Sequence, residues 1–66
     1  MIVTVNGKEE TISDEITVTK LLNGLGYVSD FVAVAINCQC VPRSQFTEVI
    51  IKENDQIEVL APMAGG

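Results

Sequence analysis

Sixty-six residues, 47% of them hydrophobic, carry a net charge of −5 and no histidine; a chain this short has room for one domain and a single modest core. Its four cations, Lys8, Lys20, Arg43 and Lys52, are scattered, and one tyrosine and two phenylalanines complete the aromatic set, which excludes a nucleic-acid interface of clustered cations and stacking rings. No apolar run approaches the roughly 18 residues that span a bilayer, and no basic start with an apolar stretch and cleavage site opens the chain, so a cytoplasmic protein is expected, with no membrane partner.

The first stretch, "MIVTVNGKEETIS", reads as a hairpin. Met1, Val3 and Val5 alternate with Ile2 and Thr4 at the period of a strand, and Asn6-Gly7 is a strong hairpin turn signal. Ile12 and Ile16 are expected to face the same core as Val3 and Val5. In "TVTKLLNGLG" the period changes. Val18, Leu21, Leu22 and Leu25 share one helical face, with Thr17 as N-cap and Gly26 as C-terminal stop. Gly24 inside that helix costs about 1 kcal/mol against alanine.

"FVAVAIN", residues 31–37, is apolar on both faces and predicts a strand covered by the helix on one side and partly covered on the other. Asn37 and Cys38 begin a turn, Cys40 and Val41 form a short pairing, and Pro42 ends it. "PRSQFTEV" predicts a loop with one helical turn and Phe46 packed inward. "VII" (49–51) is an apolar patch and "KENDQ" a polar turn. "QIEVLA" (56–61) alternates again, Ile57 and Val59 inward, Glu58 and Leu60 outward. The fold class expected is therefore α+β, a mixed β-sheet with one main helix packed across it and a right-handed crossover. The last strand lies beside the first, ends at Ala61, and Pro62 stops the ladder. Residues 1–61 form the domain and 62–66 a flexible C-terminal tail.

The chain offers little to build a catalytic centre. Without histidine the usual general base is missing, and Ser13, Ser29 and Ser44 have no evident activating partner. "NGLG" ends a helix instead of cradling phosphate. The carboxylate pairs Glu9-Glu10 and Asp14-Glu15 read as solvated surface, and Glu53 and Asp55 as turn residues. Cys38 and Cys40 lack the further ligands that zinc requires, and a disulfide across one residue is badly strained. They are expected to be free thiols, small half-buried strand residues.

What remains is "LAPMAGG". Gly65 and Gly66 have no Cβ atoms, so the chain there is thin enough to enter a narrow channel in a partner. The reactive group at the tip is the α-carboxylate of Gly66. A carboxylate is a poor acyl donor and needs activation, for example as an acyl-adenylate, from a partner with an ATP site.

Together, "MIVTVNGK", "TVTKLLNGLG", "VAVAIN", "VPR", "NDQIEV" and the terminal Gly-Gly, at these spacings, resemble the ThiS family of sulfur carrier proteins of thiamine biosynthesis over nearly the whole chain. The resemblance implies a β-grasp, ubiquitin-like fold, in accord with the element order read from the periodicities. It implies a carrier and not an enzyme, with no cofactor bound by this chain. A ThiF-like adenylating enzyme uses ATP with Mg to activate Gly66. A sulfur donor, a persulfide-carrying protein or sulfide, then displaces AMP to leave a thiocarboxylate, and the thiazole synthase ThiG accepts the sulfur. Carried over residue by residue, Gly66 is the covalent site, Gly65 the thin neck, and Ala64, Met63 and Pro62 the stalk. Leu60 and Arg43, the latter in "VPR", are candidate docking residues. Cys38 and Cys40 depart from the family pattern. The alternatives are the small subunit of molybdopterin synthase, which has the same chemistry and another acceptor; a modifier conjugated through Gly66 to a lysine; and a ubiquitin-like interaction module with an idle tail.

Overall fold

Alternating valines and a turn of two compliant residues produce the first hairpin. In the computed structural model, which describes residues 1–28 and 31–61, β1 (Ile2–Val5) pairs with β2 (Lys8–Thr11). Asn6 and Gly7 both have positive φ, 52° and 82°. That turn matches the twist of the flanking strands, and asparagine and glycine adopt it at least cost. β1 buries Val3 and Val5. β2 buries no residue, and its Lys8, Glu9 and Glu10 give the sheet a charged edge that discourages pairing with another chain.

Helix α1 (Val18–Leu25) has the caps expected of it. The Thr17 hydroxyl accepts the Lys20 N–H at 3.2 Å, and Gly26 closes the helix at φ 86°. Val18, Leu21 and Leu22 are buried and Leu25 packs at the margin of the core. Eight residues are too few for an isolated helix, so its stability comes from the sheet beneath. The loop after β4 serves it too. The carbonyls of Val49 and Phe46 accept the N–H groups of Val18 and Thr19, both at 3.0 Å, which pairs two donors that a helix start leaves unsatisfied.

β3 (Ala33–Ile36) and β4 (Gln39–Val41) form the second hairpin around Asn37-Cys38, again both at positive φ, 51° and 69°. Pro42 leads into a single 3-10 turn, Arg43–Gln45, which sets Phe46 into the core. β5 (Gln56–Leu60) buries Ile57 and Val59 and exposes Gln56, Glu58 and Leu60. The sheet order is β2-β1-β5-β3-β4, with β5 parallel to β1 and antiparallel to β3. Val3, Val5, Val34, Ile57 and Val59 share one core with the helix and with Phe46 and Ile51. Ile12 and Ile16 pack against it, as their spacing predicts. Among the described residues no helix is long and apolar enough to cross a membrane.

Three expectations are corrected. The third strand begins at Ala33, not at residue 31, because the Phe31 N–H bonds the Val28 carbonyl at 3.1 Å in a turn ahead of the ladder, which leaves Phe31 67% exposed. The last strand stops at Leu60 instead of Ala61, since Ala33, its partner, is where β3 begins. Cys38 and Cys40 are free, as expected, but both are exposed: Cys38 occupies the hairpin turn, and Cys40 pairs with Ala35 on the sheet face away from the buried Val34.

Candidate functional site

Pro62, Met63, Ala64, Gly65 and Gly66 lie outside the described residues; the structure describes the base from which they continue. That base is the central strand. β5 has a neighbour on each side, β1 beside Gln56 and Ile57 and β3 beside Ile57 to Leu60.

Two asparagine side chains complete that pairing. β1 runs only to Val5, where it faces Ile57, so the later residues of β5 have no strand on that side. Asn6 fills the gap. Its main-chain N–H donates to the Ile57 carbonyl at 2.9 Å. Its Oδ1 accepts the Val59 N–H at 2.8 Å and its Nδ2 donates to the Val59 carbonyl at 3.2 Å. A primary amide placed in this way gives Val59 the acceptor and the donor that a longer β1 would have supplied. Asn37 does the equivalent at the other end: its Oδ1 accepts the Gln56 N–H at 3.0 Å and its own N–H donates to the Gln56 carbonyl at 2.7 Å. Its Nδ2 donates to Asp55 Oδ1 at 3.0 Å, while Asp55 Oδ2 accepts the Lys52 N–H at 2.8 Å. The strand leading to the tail is thus held at both ends by turn residues of the two hairpins. The Asn-Gly signal marks a turn, but it does not say which strand passes beside that turn, so this role depends on topology.

Leu60 is 72% exposed and pairs with Ala33. β4 and β5 are both antiparallel to β3, so both finish at the edge where β3 begins. Val41 faces Val34, and Arg43, exposed, follows two residues later. The register therefore brings Leu60 and Arg43 to the same end of the sheet, on either side of β3. Below Leu60 the outer face carries a shallow groove lined by Ala33, Val34, Ala35, Cys40, Glu58 and Leu60. No cluster of three metal-ligating side chains occurs among the described residues.

Two hairpins, one helix across the sheet and a last strand running parallel to the first at its centre define a β-grasp, ubiquitin-like domain. The crystal structure of the thiamine biosynthesis protein ThiS from Geobacter metallireducens superposes with a TM-score of 0.85 at 35% identity, covering 100% of each chain. The ThiS family model matches residues 3–66, and the chain belongs to the ThiS family. The sulfur carrier protein ThiS of Escherichia coli is 42% identical over 50 residues, 76% of each chain. A thiazole synthase from Paramagnetospirillum magneticum is 39% identical over 62 residues, which are 94% of this chain and 19% of that protein. A second, from Magnetococcus marinus, is 38% identical over 61 residues, again 19% of its length, so the chain spans about a fifth of these thiazole synthases.

Proposed function

We propose that this chain is a sulfur carrier of thiamine biosynthesis, working as a protein co-substrate and not as a catalyst, with Gly66 as its covalent site. The observation that carries the reading is the family match, which runs through residue 66 and so includes both glycines. A ThiF-like enzyme holding ATP and Mg joins the Gly66 carboxylate to AMP and releases pyrophosphate. The mixed anhydride has a good leaving group. Sulfide attacks the carbonyl carbon, the C–O bond to AMP breaks and a thiocarboxylate remains; a persulfide-carrying protein instead displaces AMP through its outer sulfur to give an acyl disulfide, whose S–S bond a thiol then cleaves, releasing a disulfide and the same thiocarboxylate. Thiazole synthase then takes the sulfur. Gly65 leaves the neck thin, and Ala64, Met63 and Pro62 span the partner's channel. Leu60 and Arg43, at the end of the sheet from which the tail continues, meet the partner's surface.

The two thiazole synthases among the relatives favour thiazole over molybdopterin as acceptor. A ThiS-like stretch within a thiazole synthase is what direct association of carrier and acceptor enzyme would produce. The setting expected is the cytoplasm. Incubation with ATP, Mg, sulfide and the adenylating enzyme of the same organism, followed by intact-mass analysis, tests the reading. A gain of about 16 Da, sulfur for oxygen, localised to Gly66 supports it. An unchanged mass, with an enzyme that converts another carrier under the same conditions, refutes it. Deletion of Gly65 and Gly66 abolishes the gain.

A further inference from the structure

We propose that Phe31 and Leu60, flanked by Arg43, form an apolar collar around the base of the tail, and that the ATP-dependent adenylating enzyme docks on it. The proposal rests on the carrier reading above and adds to it a surface that the tail chemistry alone does not specify.

The tail's length forces contact. From Leu60 to Gly66 is six residues, about 20 Å at full extension. An active site that encloses Gly66 and excludes water must also surround several residues behind it. The body of the enzyme therefore reaches the end of the sheet where β5 finishes. The side chains at that end belong to the interface whatever the enzyme's shape.

The structure places its most exposed apolar groups there. Among the described residues the exposed large hydrophobics are Leu60 at 72%, Phe31 at 67%, Val28 at 61%, Ile2 at 44% and Ile50 at 40%. The first three belong to one end. Leu60 pairs with Ala33, two residues after Phe31, and the Phe31 N–H bonds the Val28 carbonyl. Ile2 belongs to the opposite end, since β1 runs parallel to β5 and Thr4 already faces Gln56. A phenylalanine two-thirds exposed contributes little to the core, and an exposed aromatic beside an exposed leucine is the composition of an interface centre. Arg43, at the finish of β4, supplies a cation at the rim of a chain whose net charge is −5. Its guanidinium suits a carboxylate of the enzyme, which fixes the angle at which the tail enters.

Phe31→Ala, Phe31→Leu and Lys52→Ala test the proposal. Lys52 is an exposed cation in the turn entering β5, away from the collar. Each variant is assayed with the adenylating enzyme for ATP-dependent activation of Gly66, read as pyrophosphate release, at varied carrier concentration, and its melting temperature is measured beside the wild type. Phe31→Ala is expected to raise the carrier KM about tenfold with kcat and melting temperature unchanged, the size of effect of truncating one aromatic contact residue. Phe31→Leu recovers most of the loss, and Lys52→Ala behaves as wild type. If the wild type is activated and Phe31→Ala has the same KM, the collar is wrong and the carrier reading survives. If Lys52→Ala is impaired as much as Phe31→Ala, the effect is not local to the collar and the proposal fails. If the wild type is not activated, the carrier reading fails and the collar falls with it.

Discussion

Asn6 is the residue whose replacement best separates turn geometry from strand support. It has φ 52° and bonds both main-chain groups of Val59 through its side chain. Asn6→Gly keeps the backbone conformation and removes the two side-chain bonds. At about 0.5–1.5 kcal/mol each, with Asn6 itself exposed, the loss is about 2 kcal/mol. Asn6→Ala removes the same bonds and also places a Cβ-bearing residue without asparagine's tolerance at positive φ, which adds about 1 kcal/mol. A domain of this length has about 3–10 kcal/mol in all. Urea unfolding followed by far-UV circular dichroism should show both midpoints falling, alanine more than glycine. The melting temperature of Asn6→Gly should drop by about 8–16 °C. Hydrogen exchange supplies the local signature. The Val59 amide has Asn6 as its acceptor, so it should lose protection in both variants. The amides of Glu58 and Leu60, which point to the β3 side of the strand, should stay closer to global protection. An Asn6→Gly protein within 0.5 kcal/mol of wild type, with Val59 still protected, would refute the clamp.

Other substitutions have signs fixed by the same structure. Gly24→Ala and Gly26→Ala introduce the same methyl group with nothing within 4 Å of either position, so conformation alone decides. Gly24 is within α1 and alanine should stabilise it by about 1 kcal/mol, whereas Gly26, at φ 86°, should lose about 1–2 kcal/mol; thermal melts of the two variants check the opposition. Phe46→Ala empties a site 3% exposed and should cost about 3–5 kcal/mol, close to the whole stability, visible as loss of the cooperative melt; a drop under about 1.5 kcal/mol would overturn its core role. Cys38 and Cys40 are both free and exposed, so both should react with a thiol reagent in native buffer at the rate of a small-molecule thiol; one slow thiol would contradict the exposure.

The parts of this fold legible in the sequence are those set by neighbours in the chain. The Asn6-Gly7 turn, the Thr17 and Gly26 caps and the inward set Val18, Leu21 and Leu22 each follow from a few adjacent residues, and the structure has all of them. That the last strand lies beside the first was legible too, because Ile57 and Val59 can reach the core of Val3 and Val5 only beside β1; that β3 flanks it on the other side was not. What could not be read depends on partners distant in sequence. "FVAVAIN" has the composition of a strand from its first residue, yet where the strand starts is set by how far β5 extends opposite it. The thiols look half-buried in a strand pattern, but no described element covers the face that carries Cys40. The side chains of Asn6 and Asn37 act on a strand 53 and 19 residues away. For the site, the sequence offered the chemistry of the tail and two flanking residues; the exposure of Phe31, on which the collar proposal rests, is not legible because an aromatic beside an apolar run is ordinarily core.

The position in the sheet of β5, the strand that precedes the tail, has a mechanical consequence under the proposed function. A reactive terminus on an edge strand would start from a base that frays, and the reach of its tip would vary. β5 is central, has strands on both sides and is closed at each end by an asparagine amide. On the proposed function, the reach of Gly66 would then be set by the six residues beyond Leu60 and not by movement of the strand. On the proposals above, such a base would let an enzyme distinguish carriers by the surface around it, because a domain that fitted the tail but clashed at the collar could not bring Gly66 to the reactive phosphate. Lengthening the tail by inserting glycines between Ala61 and Pro62 should relax that requirement: activation should persist while its dependence on Phe31 diminishes. If the Phe31→Ala defect is undiminished in the lengthened chain, the aromatic acts on something other than the approach of the two surfaces.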